Sequence, residues 1–173
     1  MARITLFRHA KAELANFEVS DFERSLASRG RLNAERMGRF VLENGMLPEL
    51  VLVSPANRTR ETHALASQHW PDIPVQFVDS IYEASATALM LAIEAAGAHV
   101  NHVMLIGHNP GLVVLLNQLV DASEAGTVNM SFFPTSCVAD VGFDAPTIAD
   151  ITPESGRLLS LVRVREVEDA KNR

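Results

Sequence analysis

Two histidines follow short apolar runs in this sequence: His9 comes after Leu6-Phe7-Arg8, and His108 after Ile106-Gly107. A third junction of the same kind, Val53-Ser54-Pro55-Ala56-Asn57-Arg58, carries an arginine. If the three runs are strands of one open α/β sheet, their carboxyl ends share a crevice, the place where such sheets bind ligands. Arg8, His9, Arg58 and His108 meeting there form a compact anion site with a nucleophile in it, which suits phosphoryl transfer through a histidine. A guanidinium offers a planar fork for two phosphoryl oxygens, so Arg8 and Arg58 together can bind and neutralise the group. Neighbouring cations also depress a histidine pKa, leaving His9 neutral with a lone pair for attack.

Taken singly, each residue has an ordinary structural reading. Arg8-His9 is also what a solvated strand end looks like. His108 sits beside the Asn109-Pro110-Gly111 helix start, whose positive end suits phosphate and discourages protonation, yet it could equally hydrogen-bond its own loop while Gly107 and Gly111 serve turns. Glu83, in Ile81-Tyr82-Glu83-Ala84, could reach the crevice as a general acid or remain a surface carboxylate. Asp21, Arg24 and Arg29 read as an ion-pair scaffold or a rim, Arg60 and Glu61 as solvated, and His63, His69, His99 and His102 as helix and loop residues without chemistry. Repetition at three strand ends is what favours the functional reading.

Rival chemistries lack their residues. A cysteine phosphatase loop starting at Cys137 needs an arginine six residues on, where this chain has Phe143. No Gly-x-Ser-x-Gly elbow and no Gly-x-x-x-x-Gly-Lys-Ser/Thr loop occurs. Candidate metal ligands come singly, beside arginines that would repel a divalent cation.

The elements that must position these groups follow from the apolar pattern, which switches between short aliphatic runs and helical periods as stacked βα units do. Strands are expected at Arg3 to Phe7, Leu50 to Val53, Val75 to Val78 and Val103 to Ile106. Cys137 to Val141 and Leu158 to Val164 are expected as antiparallel additions at one side. Helices are expected around Leu32, Met37, Phe40 and Val41 with Ser28 as N-cap, over Asn57 to Gln68, over Ala86 to Ala96, and over Leu112 to Val120 with Asn109 as cap and Pro110 as first residue. Asp121 to Thr135 reads as a loop bordering the site, and Glu166 to Arg173 as a fraying charged tail.

With 173 residues, 47% of them hydrophobic and 21% charged, the chain is expected to form one soluble domain. A net charge of −6 with dispersed arginines argues against nucleic acid as a partner, and no run reads as a membrane span. One cysteine and no leader pattern make the expected location cytoplasmic.

Arg8-His9-Ala10-Lys11-Ala12, Asp21-x-x-Arg24-x-Leu26 with Arg29-Gly30, Ser54-Pro55-Ala56-x-Arg58-Thr59-x-Glu61-Thr62, Tyr82-Glu83-Ala84 and Gly107-His108-Asn109-Pro110-Gly111-Leu112 together resemble the histidine phosphatase superfamily. Within it they look most like the SixA-type phosphohistidine phosphatases, to which Ala10 points where the wider superfamily often has glycine. The match runs in order from Leu6 to about Leu119 and is compatible at Pro134-Thr135 and the last strands.

The resemblance implies a phosphoglycerate mutase-like, three-layer α/β/α sandwich with a mostly parallel central sheet, here a single domain over 1–165 followed by the tail 166–173. It implies no metal and no organic cofactor. It places the phosphoryl-accepting nucleophile at His9, phosphate-binding groups at Arg8 and Arg58, a second phosphoryl-binding histidine at His108, and a candidate proton donor at Glu83. A phosphoramidate leaves readily, so it needs a general acid less than an alkyl ester does. The expected activity is a phosphatase acting on phosphohistidine of a signalling protein of the histidine phosphotransfer type, because a short chain without a cap domain leaves an open crevice suited to a protein side chain. The alternatives are a small-molecule phosphomonoester phosphatase or mutase of the same superfamily, or a non-catalytic binder of phosphoproteins.

Overall fold

Short aliphatic runs buried on both faces form the strands, and helices with one apolar stripe cover them. A computed structural model describes residues 1–97, 99–121, 123 and 133–171. In chain order the elements are β1 (Ala2–Arg8), α1 (Ser28–Glu43), β2 (Leu50–Val53), α2 (Asn57–Ala66), β3 (Val75–Phe77), α3 (Ala86–Gly97), β4 (His102–Gly107), α4 (Gly111–Leu119), β5 (Val138–Phe143), β6 (Arg157–Val162) and α5 (Val164–Lys171).

The strands form one sheet in the order β3-β2-β4-β1-β5-β6. β3, β2, β4 and β1 run parallel, and β5 and β6 add antiparallel at one side, as expected. Alternate residues face opposite ways, so Ile4, Leu6, Leu52 and Leu105 pack with α3 and α4, while Phe7, Val51, Met104 and Val138 pack with α1, α2 and α5. The result is the α/β/α sandwich. Among the described residues no helix is long and apolar enough to cross a membrane.

In the helices and the tail several expectations differ from the structure. Ser28 is the first helical residue of α1, with Ala27 at the cap position. Leu32 is exposed, because the buried stripe of α1 runs through Gly30, Asn33, Ala34, Met37, Gly38 and Val41, and Leu32 falls on the opposite side of the helix. The expected fraying tail is instead α5: Val164 and Val167, three residues apart in a charged run, bury against the α1 face, and Glu168 pairs with Arg36. Of the loop expected over Asp121 to Thr135, residues 122 and 124–132 lie outside the described residues, whereas Phe133 is a fully buried core residue.

At the amino ends of the strands, a polar cluster crosses the sheet. Asp140 of β5 accepts from Arg3 and, at 2.9 Å, from the Thr5 hydroxyl. With its single proton committed there, Thr5 Oγ1 accepts from His102 Nε2 at 2.8 Å. His102, expected in a loop, is thus the first residue of β4 and ties three strands together on the opposite edge from His9. Thr5 and Asp140 are almost wholly buried, so losing the hydroxyl leaves partners unsatisfied. Thr5→Val is expected to cost about 1–3 kcal/mol in urea unfolding, and an unchanged midpoint would show that the cluster does not contribute.

Candidate active site

Backbone pairing carries the three junctions into one place. In the β1–β4 ladder Arg8 is opposite Gly107, and in the β2–β4 ladder Val53 is opposite Ile106. His9 N–H continues the first ladder to the Gly107 carbonyl at 3.0 Å, and Ser54 N–H continues the second to Ile106 at 3.0 Å. His9, His108 and Ser54 therefore leave the sheet from three adjacent strands. The two imidazole centroids lie 5.2 Å apart. They line a cavity of about 350 Å³ together with Arg8, Arg24, Arg58, Asp21 and Glu83.

His9 Nδ1 lies 2.8 Å from the Ala10 carbonyl. A carbonyl only accepts, so Nδ1 carries the proton and Nε2 holds the lone pair, with no hydrogen-bond partner among the described residues. Burial pushes the His9 pKa down to about 4, and the Arg58, Arg8 and Arg24 charges act in the same direction against the Ala10 bond. Burial also takes His108 to about 3, helped by His9 and Arg58. At neutral pH both rings are uncharged. His108 Nε2 is 2.7 Å from the buried Ser54 hydroxyl, and its Nδ1 is buried without a hydrogen-bond partner among the described residues.

The arginines are held in fixed directions. Arg58, only 4% exposed, donates from one nitrogen to the Asp21 backbone carbonyl at 2.6 Å and from the other to the Asp21 carboxylate at 2.9 Å. Arg24 donates to the other oxygen of that carboxylate, at 3.0 and 2.6 Å. The Tyr82 hydroxyl donates at 2.9 Å to the carboxylate oxygen that Arg58 also binds, and the Tyr82 ring sets its edge against His108 with 5.5 Å between centroids. Burial acts to raise the Asp21 pKa, but hydrogen bonds from Tyr82 and Arg24 and the Arg58 charge outweigh it and hold the group at about 2. Arg8 donates to the Phe133 carbonyl at 2.9 Å.

α2 and α4 complete the frame. Thr62 Oγ1 accepts from Ala10 N–H at 2.9 Å and donates to the Arg58 carbonyl at 2.6 Å, fastening the residue after His9 to the helix that carries Arg58. Asn109, expected to cap α4, makes no cap bond; its amide donates to the Phe133 carbonyl at 2.9 Å, the same buried acceptor that holds Arg8. Pro110 occupies the cap position instead of the first turn. Gly111 is required by close approach: a Cβ there would stand 2.3 Å from the Ala84 carbonyl. That contact sets the Tyr82–Ala84 turn beside His108, with Glu83 exposed at the cavity in a left-handed conformation, φ 50°.

Arg8, His9, Arg58, His108 and Glu83 thus all reach one cavity. Sequence reasoning read Asp21 and Arg24 as an ion-pair scaffold, which they form, but missed that Asp21 also holds Arg58 and that Thr62 and Tyr82, the single tyrosine of the chain, support the site. Glu61, read as solvated, is half-buried and accepts from Leu26 N–H at 2.9 Å and Arg31 at 3.1 Å. Arg60 is exposed, lying over the Phe77 ring at 4.5 Å. Cys137 is buried, which pushes its thiol up to about 12 and leaves it protonated, so it offers no thiolate. Among the described residues no three His, Cys, Asp or Glu side chains are grouped to hold a metal ion.

No protein-family model matches the chain. A protein of Agrobacterium tumefaciens assigned as the phosphohistidine phosphatase SixA superposes with a TM-score of 0.80 at 29% identity, over 94% of this chain and 97% of that one. The chain belongs to the histidine phosphatase superfamily and is similar there to the SixA proteins. A protein histidine phosphatase SixA complexed with tungstate shares the superfamily fold with a TM-score of 0.77 at 21% identity, over 95% and 99% of the two chains. So does an Escherichia coli protein assigned as an alpha-ribazole-5'-P phosphatase, with a TM-score of 0.66 at 16% identity over 95% and 98%. By sequence, uncharacterised proteins of Mycobacterium tuberculosis and Arabidopsis thaliana are each 30% identical, over 76% and 70% of this chain and 84% and 60% of their own lengths.

The depressed histidines make stability depend on pH. An unfolded histidine titrates near 6.5, while His9, His102 and His108 have folded values of about 4, about 4 and about 3. Above pH 6.5 the rings are neutral in both states and stability is insensitive to them. Between about pH 6.5 and 4 the unfolded chain binds more protons, so stability is lost as pH falls through that window. The urea midpoint is expected to drop between about pH 7.5 and 5, and nitrogen chemical shifts of His9 and His108 should remain those of neutral rings at about pH 5. Protonation of either ring with a midpoint near 6.5 would contradict this electrostatic picture.

Proposed function

We propose that the chain is a metal-independent phosphatase that passes the phosphoryl group through His9 and acts on phosphohistidine of a protein of the histidine phosphotransfer type. The observation that carries the reading is the His9 ring, neutral, with Nδ1 committed to Ala10 and its Nε2 lone pair free in an arginine-lined cavity. Nε2 attacks phosphorus as the P–N bond to the substrate imidazole breaks, and the leaving nitrogen takes a proton from Glu83 or solvent. Arg8, Arg58 and His108 stabilise charge on the equatorial oxygens. Water then forms a new P–O bond, the bond to His9 breaks, and the spare proton goes to solvent.

The A. tumefaciens likeness supports phosphohistidine as the substrate class, as does the setting of the cavity: the loop carrying Asp21 also bears Leu14 and Phe17, two exposed apolar side chains suited to a protein surface. A reducing cytoplasm is the location in which we place this activity.

His9→Ala is expected to abolish turnover of a phosphohistidine protein, and Arg58→Ala to lower kcat by roughly 10²–10³-fold, the loss typical of one such charge-stabilising group. Near-normal turnover by His9→Ala would overturn the mechanism. Glu83→Gln should slow an alkyl phosphate ester far more than phosphohistidine, because only the ester needs an acid for its leaving group. In a panel of phosphohistidine protein with sugar, nucleotide and glycerate phosphates, preference for a small ester would favour the small-molecule alternative.

A further inference from the structure

Beside the catalytic cavity lies a second one of about 470 Å³, and Lys11 and Thr135 line both. Its walls come from four separate parts of the chain, and three of them supply cations. Lys11 follows β1, Arg29 stands in the first turn of α1, and Arg163 and Arg165 flank the start of α5. Among the described residues no aspartate or glutamate lines it, although the chain carries a net charge of −6. Arg163 is paired with Glu166, while Lys11, Arg29 and Arg165 have no ion pair among the described residues.

The site is built. Asn33, 8% exposed, lines the cavity and makes no side-chain hydrogen bond among the described residues. The Lys11 carbonyl accepts from Ala27 N–H at 2.9 Å, and a Cβ on Gly30 would stand 2.0 Å from that carbonyl, so the start of α1 and the Lys11 segment are locked together. The first turn of α1 holds no acidic residue of its own, and the carboxylate at the helix start, Glu61, is turned to Leu26 N–H and Arg31 and does not line the cavity. Cations gathered this way repel one another, a cost that a bound anion offsets.

We infer that this cavity is an anion subsite that takes acidic side chains of the protein substrate next to its phosphorylated residue. The inference rests on the reading of the catalytic cavity as a phosphoprotein phosphatase site. Cations contributed separately by three segments suit several single charges spread along a peptide better than one dense phosphate. Arginine forks and the Asn33 amide match carboxylate geometry. A substrate peptide leaving the catalytic cavity past Lys11 and Thr135 enters the subsite directly.

The test uses phosphohistidine peptides of one length whose flanking residues are glutamate, glutamine or lysine, with phosphoramidate as the unflanked probe. For the wild-type chain the acidic peptide should have a kcat/KM roughly tenfold above the glutamine peptide at low salt, with the advantage shrinking as salt rises. Arg29→Gln combined with Arg165→Gln should erase that preference and leave phosphoramidate turnover unchanged, with circular dichroism confirming the fold. Equal rates on the three peptides, or a preference that survives in the double variant, would overturn the subsite while leaving the phosphatase intact. If the wild-type chain turned over neither phosphoramidate nor any peptide, the phosphatase reading would fall and the subsite with it.

Discussion

Arg8 and Gly107 are partners in the parallel ladder between β1 and β4, and Val53 and Ile106 are partners between β2 and β4, so three chain segments leave the sheet side by side. Everything at the active end depends on that register. Side chains alternate along a strand, and a slip of one residue would turn the apolar sets of β1 and β4 to the wrong faces. Burial on both faces holds the register, and the helices α2 and α4 start soon after β2 and β4 stop. The polar cluster of Thr5, His102 and Asp140 fastens β1 and β4 to β5 on the side away from the cavity.

Bringing cations and imidazoles together has an electrostatic consequence that the fold turns to use. Arg8, Arg24 and Arg58 would repel one another around an unoccupied cavity, and Asp21 answers them with a carboxylate that accepts from two of them and from Tyr82. The same positive surroundings, with burial, keep His9 and His108 unprotonated. A protonated His9 would bind phosphate but could not attack it. In the proposed mechanism the field that attracts the substrate thereby also preserves the nucleophile, and the Ala10 carbonyl decides which nitrogen of the ring is available.

The strand ends were legible in the sequence because each is a short aliphatic run followed at once by a charged or ionisable residue, a local pattern with little competition. β2 spans Leu50–Val53 as expected, and Arg8, His9, Arg58, His108 and Glu83 all reach the cavity. Asp21 was legible only as an ion-pair candidate. Its partners Arg58 and Tyr82 are 37 and 61 residues away, and nothing in local spacing marks contacts made through tertiary structure. Asn109 misled for a related reason: local propensity favours a cap, but the buried Phe133 carbonyl offers the amide a better-placed acceptor. α5 was hidden because two valines in a charged run carry too little periodicity until the α1 face is there to receive them.

The central claim is that His9 Nε2 takes the phosphoryl group while Nδ1 stays tied to Ala10. Rapid acid-free quenching during turnover, followed by peptide mapping and phosphorus NMR of the trapped enzyme, tests it most directly. The expected product is an acid-labile, alkali-stable phosphate on His9, attached at Nε2. Phosphate on another residue, attachment at Nδ1, or full turnover with no phosphoenzyme at any time point would contradict it.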